Sequence, residues 1–358
     1  MNYFNFIREN WRFLCFGIVL NFFSSTGQTF YISIFGGEFR RDFNLSEGDF
    51  GFIYMIATLF SAGSLIWLGR LIDRMDLRFY ALLICLGSTL ACFFTSTVTS
   101  AFMLALAFYL LRLMGQGLMN HAAVTSMGRY FTTQRGTAIG IITLGSTLGL
   151  AVYPLVGITL IKLYGWSNSW LILAVIYSII LIPLILWLLK GQKIRHSNYL
   201  IARDKKTPSI VPDNHYSVKE MLTEWRFYLM TPALLTSTFL LTGLLFHQVS
   251  IVEIKNWSIS VFASGFIGLA TASFLTSLAL GPLVDKWRAA NLLPFILFPL
   301  VPALIVLNYF EAEFFGFIYL ILLGVCFGAT FTISGAIWPE LYGTKNLGAI
   351  KSLVKAIM

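Results

Sequence analysis

Long apolar runs alternate with short polar breaks along the whole chain. Ten of the runs are long enough to cross a bilayer as a helix, which takes about 20 residues: 12–35, 49–69, 79–98, 101–127, 137–161, 168–189, 227–250, 258–284, 291–309 and 314–338. Within each run the apolar residues are continuous rather than alternating. That selects helices over a β-barrel, the only other structure that satisfies every backbone hydrogen bond in lipid. The pattern predicts an all-α polytopic membrane protein with about ten spans. The longest polar stretch, 190–224, separates a six-span half, 1–189, from a four-span segment, 225–358. It predicts a linker, with a short surface helix near Val218–Trp225.

Composition strengthens the class. The 358 residues are 57% hydrophobic and 11% charged, where a soluble domain carries about 25% charged residues. Cys15, Cys85, Cys92 and Cys326 all fall in apolar runs without CxxC spacing, so neither a disulfide, a metal nor a cofactor is expected. Arg8 and Arg12 precede a first run too long for a signal peptide, which reads as a retained span.

The net charge of +9 raises nucleic acid as a partner, but the cations sit in the breaks between spans, the pattern of membrane loops. With the N-terminus inside, twenty Lys and Arg fall on the inner side and Arg40, Arg41, Lys162 and Lys255 on the outer; Arg112 lies within a span. Positive-inside bias thus puts the N-terminus in the cytoplasm. The expected location is a bacterial inner membrane, and the expected state a monomer in the bilayer.

A repeat runs through the breaks. "LGRLIDR" at 68–74 returns as "LGPLVDK" at 280–286, so Gly69, Leu71, Asp73 and Arg74 correspond to Gly281, Leu283, Asp285 and Lys286, 212 residues apart. Gly136 and Gly348 keep the same spacing, and "NWRF" at 10–13 matches "EWRF" at 224–227 at 214. Six spans separate equivalent positions, an even number, so the copies run in parallel. Two such halves around a central site are the architecture of secondary transporters. Continued, the repeat would carry the second half to about residue 401, whereas the sequence stops at 358. The expectation is a second half lacking its last two helices, and hence a shortened chain.

The stretch "GRLIDRMDLR" resembles the G-x-L-x-D-R-x-G-R-[RK] loop of the major facilitator superfamily, with Asp76 and Leu77 in place of the second Gly and the following Arg. "RLMGQG" in the fourth run is a looser likeness. "GSTLGLAVYPLVG", "YGWSNSW" and "PELYGTKNLGAI" look like the monocarboxylate-porter and oxalate/formate-exchanger branch. The chain departs from that branch in lacking a charge in span eight, and the basic residue some relatives use for anions lies in an eleventh span taken here as absent. Pro154, late in span five, departs from the antiporter pattern. The resemblance implies the facilitator fold of two six-helix halves. It implies gating roles for Gly69, Asp73 and Arg74 and for Gly281, Asp285 and Lys286. In the family the first Asp meets the start of span eleven, so Asp73 is expected to have little to grip, while Asp285 faces span five.

Charge within a bilayer is costly, at roughly 2.5–3.5 kcal/mol on insertion scales, which makes Arg112 the first candidate. Gln116 and Asn120 follow it at i+4 and i+8 on one helix face, and Asn21, Ser24 or Ser25, and Gln28 form a second polar stripe on span one. The resemblance places both spans around the central cavity. Arg112 either attracts an anionic solute, with the amides orienting it, or bonds neighbouring polar groups and gates motion. His121 is a candidate solute contact or a packed histidine; Thr242 and Thr330 are candidate cavity groups, or helix glue together with Thr238 and Ser334. His247 and Gln248 are expected at an entrance. The function expected is a secondary or facilitative transporter of a small organic solute, a carboxylate, by alternating access. The alternative is a non-transporting sensor or transporter remnant. No enzyme is expected, for want of clustered His, Asp or Glu. No carboxylate stands in the expected cavity, so proton symport, facilitated diffusion and anion exchange all stay open.

Overall fold

A computed structural model describes residues 3–131, 133–204, 216–246, 251, 254–257 and 259–357. Among these the regular structure is all helical: α1 (Tyr3–Phe23), α2 (Glu47–Leu68), α3 (Leu77–Ser96), α4 (Ala101–Tyr130), α5 (Arg135–Leu188), α6 (Gln192–Asp204), α7 (Val218–Thr223), α8 (Trp225–Phe246), α9 (Ile259–Trp287), α10 (Ala289–Tyr309), α11 (Phe314–Tyr342) and α12 (Leu347–Ile357). Eight helices among the described residues are long and apolar enough to cross a membrane, or nine if Asn5–Gly27 and Thr29–Asp42, which meet at 44°, form one bent span.

Local chemistry sets the ends. Ser46 and Asp49 form a reciprocal capping box at the start of α2, with Asp49 N–H donating to Ser46 Oγ at 3.1 Å and Ser46 N–H to Asp49 Oδ2 at 3.1 Å. Asp76 and Ser100 cap α3 and α4 with their side-chain oxygens. The 54 residues of α5 would extend about 80 Å as one helix, far beyond a bilayer. Gly165 breaks it, at φ 74° and ψ 168°, a backbone state that favours glycine. The stretch read as a linker holds two helices, α6 and α7. The expected surface helix is α7, capped by Ser217 and Glu220. Hydrogen bonds from Ser217 hold the Glu220 carboxyl below its ordinary pKa.

The chain divides into two compact units. The first comprises 1–126, 148–208 and 346–357, and the second 127–147 and 209–345. The first is built on an aromatic core in which Trp170, Tyr31, Phe35, Phe39 and Phe108 are fully buried, with Phe35 4.9 Å from the Trp170 ring and Phe39 5.7 Å from Phe108. In the second, α9 and α11 pack backbone to backbone. A Cβ on Gly324 or Gly328 would stand 2.3 Å from Leu269 O or 2.2 Å from Ser273 O, the small-residue seam of membrane helix pairs. Ser277 Oγ donates to Gly328 O at 3.0 Å across the same seam.

The two repeated loops both act as helix caps. Asp285 Oδ1 accepts from Gly136 N–H at 2.6 Å, and its Oδ2 accepts from Thr137 N–H at 3.0 Å and Thr137 Oγ1 at 2.6 Å. Asp73 Oδ1 and Oδ2 accept from Gly348 and Ala349 N–H at 2.9 and 2.8 Å. The second pair corrects the expectation that Asp73 has little to grip. Residues 347–357 wind about three helical turns, and a cap needs only the free N–H groups of the first turn. The carboxylate also complements the positive helix end.

Close approach makes one substitution decisive. A Cβ on Gly27 would lie 2.1 Å from Leu111 O, whereas one on Gly63 meets nothing within 4 Å. Gly27→Ala should lower stability by about 1–3 kcal/mol, read as thermal unfolding in detergent. Gly63→Ala should leave it unchanged or raise it by up to about 1 kcal/mol.

Candidate functional site

The polar positions of spans one and four meet in the first unit, where both helices depart from regular geometry. Span one breaks into a 3-10 turn at Ser24–Gly27. Ser24 Oγ donates back to Asn21 O at 2.7 Å, a local bond that competes with the helix ladder. Opposite, α4 is π-helical over Arg112–Met119, a rare widening that is frequent at functional sites. Gly27 and Gly115 let the two irregular backbones touch: a Cβ on Gly115 would lie 2.8 Å from Gly27 N.

Arg112 is half-buried in this contact. Its Nη1 donates to Thr29 Oγ1 at 3.0 Å, Tyr54 OH donates to the same oxygen at 2.8 Å, and the guanidinium lies 5.1 Å from the Tyr54 ring centroid. Both acceptor positions of the Thr29 hydroxyl are thereby used. Further along the row, Asn120 Nδ2 donates to Asn21 Oδ1 at 3.0 Å. Lys355 Nζ, from α12, donates to Asn120 Oδ1. Gln116 carries a buried side-chain oxygen without a hydrogen-bond partner. Arg112 and Lys355 thus bond into the same set of polar groups from spans one and four. Among the described residues neither forms an ion pair with a carboxylate.

Lys355 corrects two expectations. One of the twenty cations assigned to the inner loops, it stands in a helix, as does Lys351, which is 8% exposed. A basic residue also lies in the helix Leu347–Ile357, where little helix was expected. Its place could have been read from the repeat: Gly348 corresponds to Gly136 at a helix start, so Lys355 falls seven residues, about 10 Å, inside that helix. Thr29 and Tyr54 were missed because the expected stripe assumed an unbroken first helix. The break puts Gln28 in extended backbone and leaves Thr29 to meet Arg112.

The other candidates lie elsewhere. His121 is buried, and its Nε2 donates to Gly69 O at 3.0 Å, in the loop that carries Asp73. Thr330, in the second unit, donates to Cys326 O at 2.8 Å and shares a short hydrogen bond with Ser237; Thr242 is exposed. Thr238 and Ser334 bond carbonyls of their own helices. His247 and Gln248 lie outside the described residues. Of the proposed gating groups, Gly69 makes room for Ser352, whose Cβ would lie 2.4 Å from an added Cβ, and Gly281 for Thr137 at 2.8 Å. Arg74 and Lys286 are exposed.

The sequence profile of the Major Facilitator Superfamily matches residues 14–358. The chain belongs to the Major Facilitator Superfamily. Over 59 residues, 16% of this facilitator chain, it is 42% identical to monocarboxylate transporter 9 of Gallus gallus, and the match spans 12% of that protein's length. The crystal structure of the human organic anion transporter MFSD10 (TETRAN) superposes with a TM-score of 0.65 at 14% identity, covering 98% of this chain and 91% of that one; this likeness shows the fold. The facilitator fold and its membrane-spanning helices make the chain an integral membrane protein of a transporter family.

The Lys355–Asn120 bond has a measurable signature. Asn120→Ala should cost about 1.5–3 kcal/mol, the range for a hydrogen bond to a charged group, in thermal unfolding. Adding Lys355→Met should recover part of that loss, because the unpartnered cation is gone. A loss that stays additive would show that the two side chains are not coupled.

Proposed function

We propose that the chain carries a small organic anion, a carboxylate, across the membrane by alternating access of two halves, 1–189 and 225–358, joined by 190–224. One observation carries the reading: Arg112 and Lys355 converge on a row of amides and hydroxyls, and among the described residues no carboxylate pairs with either. A cation drawn even partly out of water gains from a paired anion. Here a solute carboxylate supplies the missing charge: Arg112 offers a forked donor that fits a carboxylate, Lys355 a second cation, and Gln116 and Asn120 orient the rest. The solute classes printed for the two similar proteins, monocarboxylate and organic anion, agree with this choice.

The Asp73 and Asp285 caps are read as latches that hold one access state and release as the helix starts move away. The N-terminus is placed in the cytoplasm of a bacterial cell. With Lys351 and Lys355 moved from loop to helix, the count becomes eighteen inner cations against four, and the bias stands.

Uptake of radiolabelled carboxylates into proteoliposomes tests the reading. Arg112→Ala and Lys355→Gln should each weaken apparent affinity by about tenfold or more, the equivalent of one charge-assisted hydrogen bond; Arg112→Lys should retain part. Unchanged affinity in all three would overturn the anion site, and solute binding without flux would indicate a sensor. Repeating uptake under an imposed pH gradient separates proton symport, which the gradient accelerates, from facilitated diffusion or exchange.

A further inference from the structure

A cation-bearing hollow lies in the second unit. Where α9 ends and α10 begins, Lys286, Trp287, Arg288, Asn291, Leu292 and Phe295 line a cavity of about 610 Å³, within the ~300–1,000 Å³ of small-molecule sites. We propose that this cavity binds the phosphate headgroup of an anionic phospholipid, drawn from the leaflet that the basic loops face.

The lining has two chemistries. Trp287 and Phe295 are 52% and 55% exposed and, with Leu292, give an apolar wall at the end of a membrane-spanning helix, where aromatic rings favour the headgroup level. Lys286 and Arg288 give the polar wall. Lys286 is exposed and forms no ion pair among the described residues. Arg288 is held by one edge: its Nε donates to Glu340 Oε1 at 3.1 Å. The two terminal nitrogens of its guanidinium carry no hydrogen bond among the described residues. Glu340 also accepts from Ala289 N–H at 2.7 Å, so it fixes both the side chain and the next backbone group. That double hold sustains Arg288 at φ 71° and ψ 143°, a backbone state uncommon for any residue but glycine.

The charge balance favours an anion. Glu340 offsets one of the two cations, which leaves Lys286 as the excess positive charge. A free phosphate would use the same donors, but it would leave the Trp287 and Phe295 surface unused. A lipid uses both walls, with its phosphate on Lys286 and Arg288 and its chains along the rings. The assignment is independent of the solute: it uses none of the residues of the Arg112 row.

Native mass spectrometry of the full chain, purified in detergent and offered phosphatidylglycerol and phosphatidylcholine in equal amounts, tests the site. The wild type should retain phosphatidylglycerol in preference to phosphatidylcholine. Lys286→Gln should lower that preference about fivefold, as expected for one basic group at a lipid surface, and Lys286→Arg should restore it. Lys345→Gln removes the same charge from an exposed loop position outside the cavity and should leave the preference intact. Equal losses in Lys286→Gln and Lys345→Gln would overturn the site in favour of diffuse surface charge. No loss in Lys286→Gln, with the variant's thermal unfolding unchanged, would overturn it outright.

Discussion

Two basic residues, Arg112 and Lys355, which pair with no carboxylate among the described residues, set the terms for the rest of the first unit. A charge placed well within a span costs roughly 2.5–3.5 kcal/mol on insertion scales. The structure offsets part of that cost with neutral groups: the Thr29 hydroxyl and Tyr54 ring for Arg112, and the Asn120 amide for Lys355. The irregular backbones serve this arrangement. The break at Ser24–Gly27 brings Thr29 to Arg112, and Gly27 and Gly115 permit the approach that a side chain on either would block. A carboxylate partner would have stabilised both cations, and its place among the described residues is taken by dipoles alone. Dipoles leave an anion something to gain on binding, where a resident carboxylate would compete with it.

The acidic residues are used the opposite way. Asp73 and Asp285 spend their charge on backbone N–H groups at helix starts far away in sequence, each satisfying two donors that the helix itself cannot. Glu340 does the same for Ala289. A capped helix start is a discrete contact that is made or broken as a unit, and that property suits it to a latch better than a dispersed apolar interface would. His121 bonds the carbonyl of Gly69, four residues before Asp73, so the cation-bearing helix α4 and the Asp73 loop are mechanically joined within the first unit.

Much of the fold was legible in the sequence because lipid imposes a strong rule: continuous apolar runs must be helices, and polar breaks must be their ends. The repeat spacing of 212 residues paired Asp73 with Asp285 and Gly136 with Gly348, the residues of the two caps, but the Asp73 cap itself was not foreseen, because a sequence stopping ten residues past Gly348 suggested too little helix to grip. Arg112, Gln116 and Asn120 stood out as polar groups in an apolar run. What stayed hidden depended on departures from regular helix. A 3-10 turn in span one shifts the contact from Gln28 to Thr29, and periodicity carries no sign of it. Lys355 was obscured for another reason: a short run of mixed polar and apolar residues has no hydropathy signal, and only the repeat marks it as helix interior. His121 and Thr330 show that a polar residue in a span often serves its neighbours, through Gly69 O and Ser237 respectively.

The claim that the uncompensated pair selects an anion is tested most directly by ligand-induced thermal stabilisation over a charge series, comparing each carboxylate with its neutral amide on the same carbon skeleton. At least one carboxylate should raise the unfolding temperature of the wild type, its amide should not, and Asn120→Asp, which supplies a resident negative charge beside Lys355, should abolish the effect. Equal stabilisation by acid and amide, or stabilisation by the acid that survives Asn120→Asp unchanged, would contradict it.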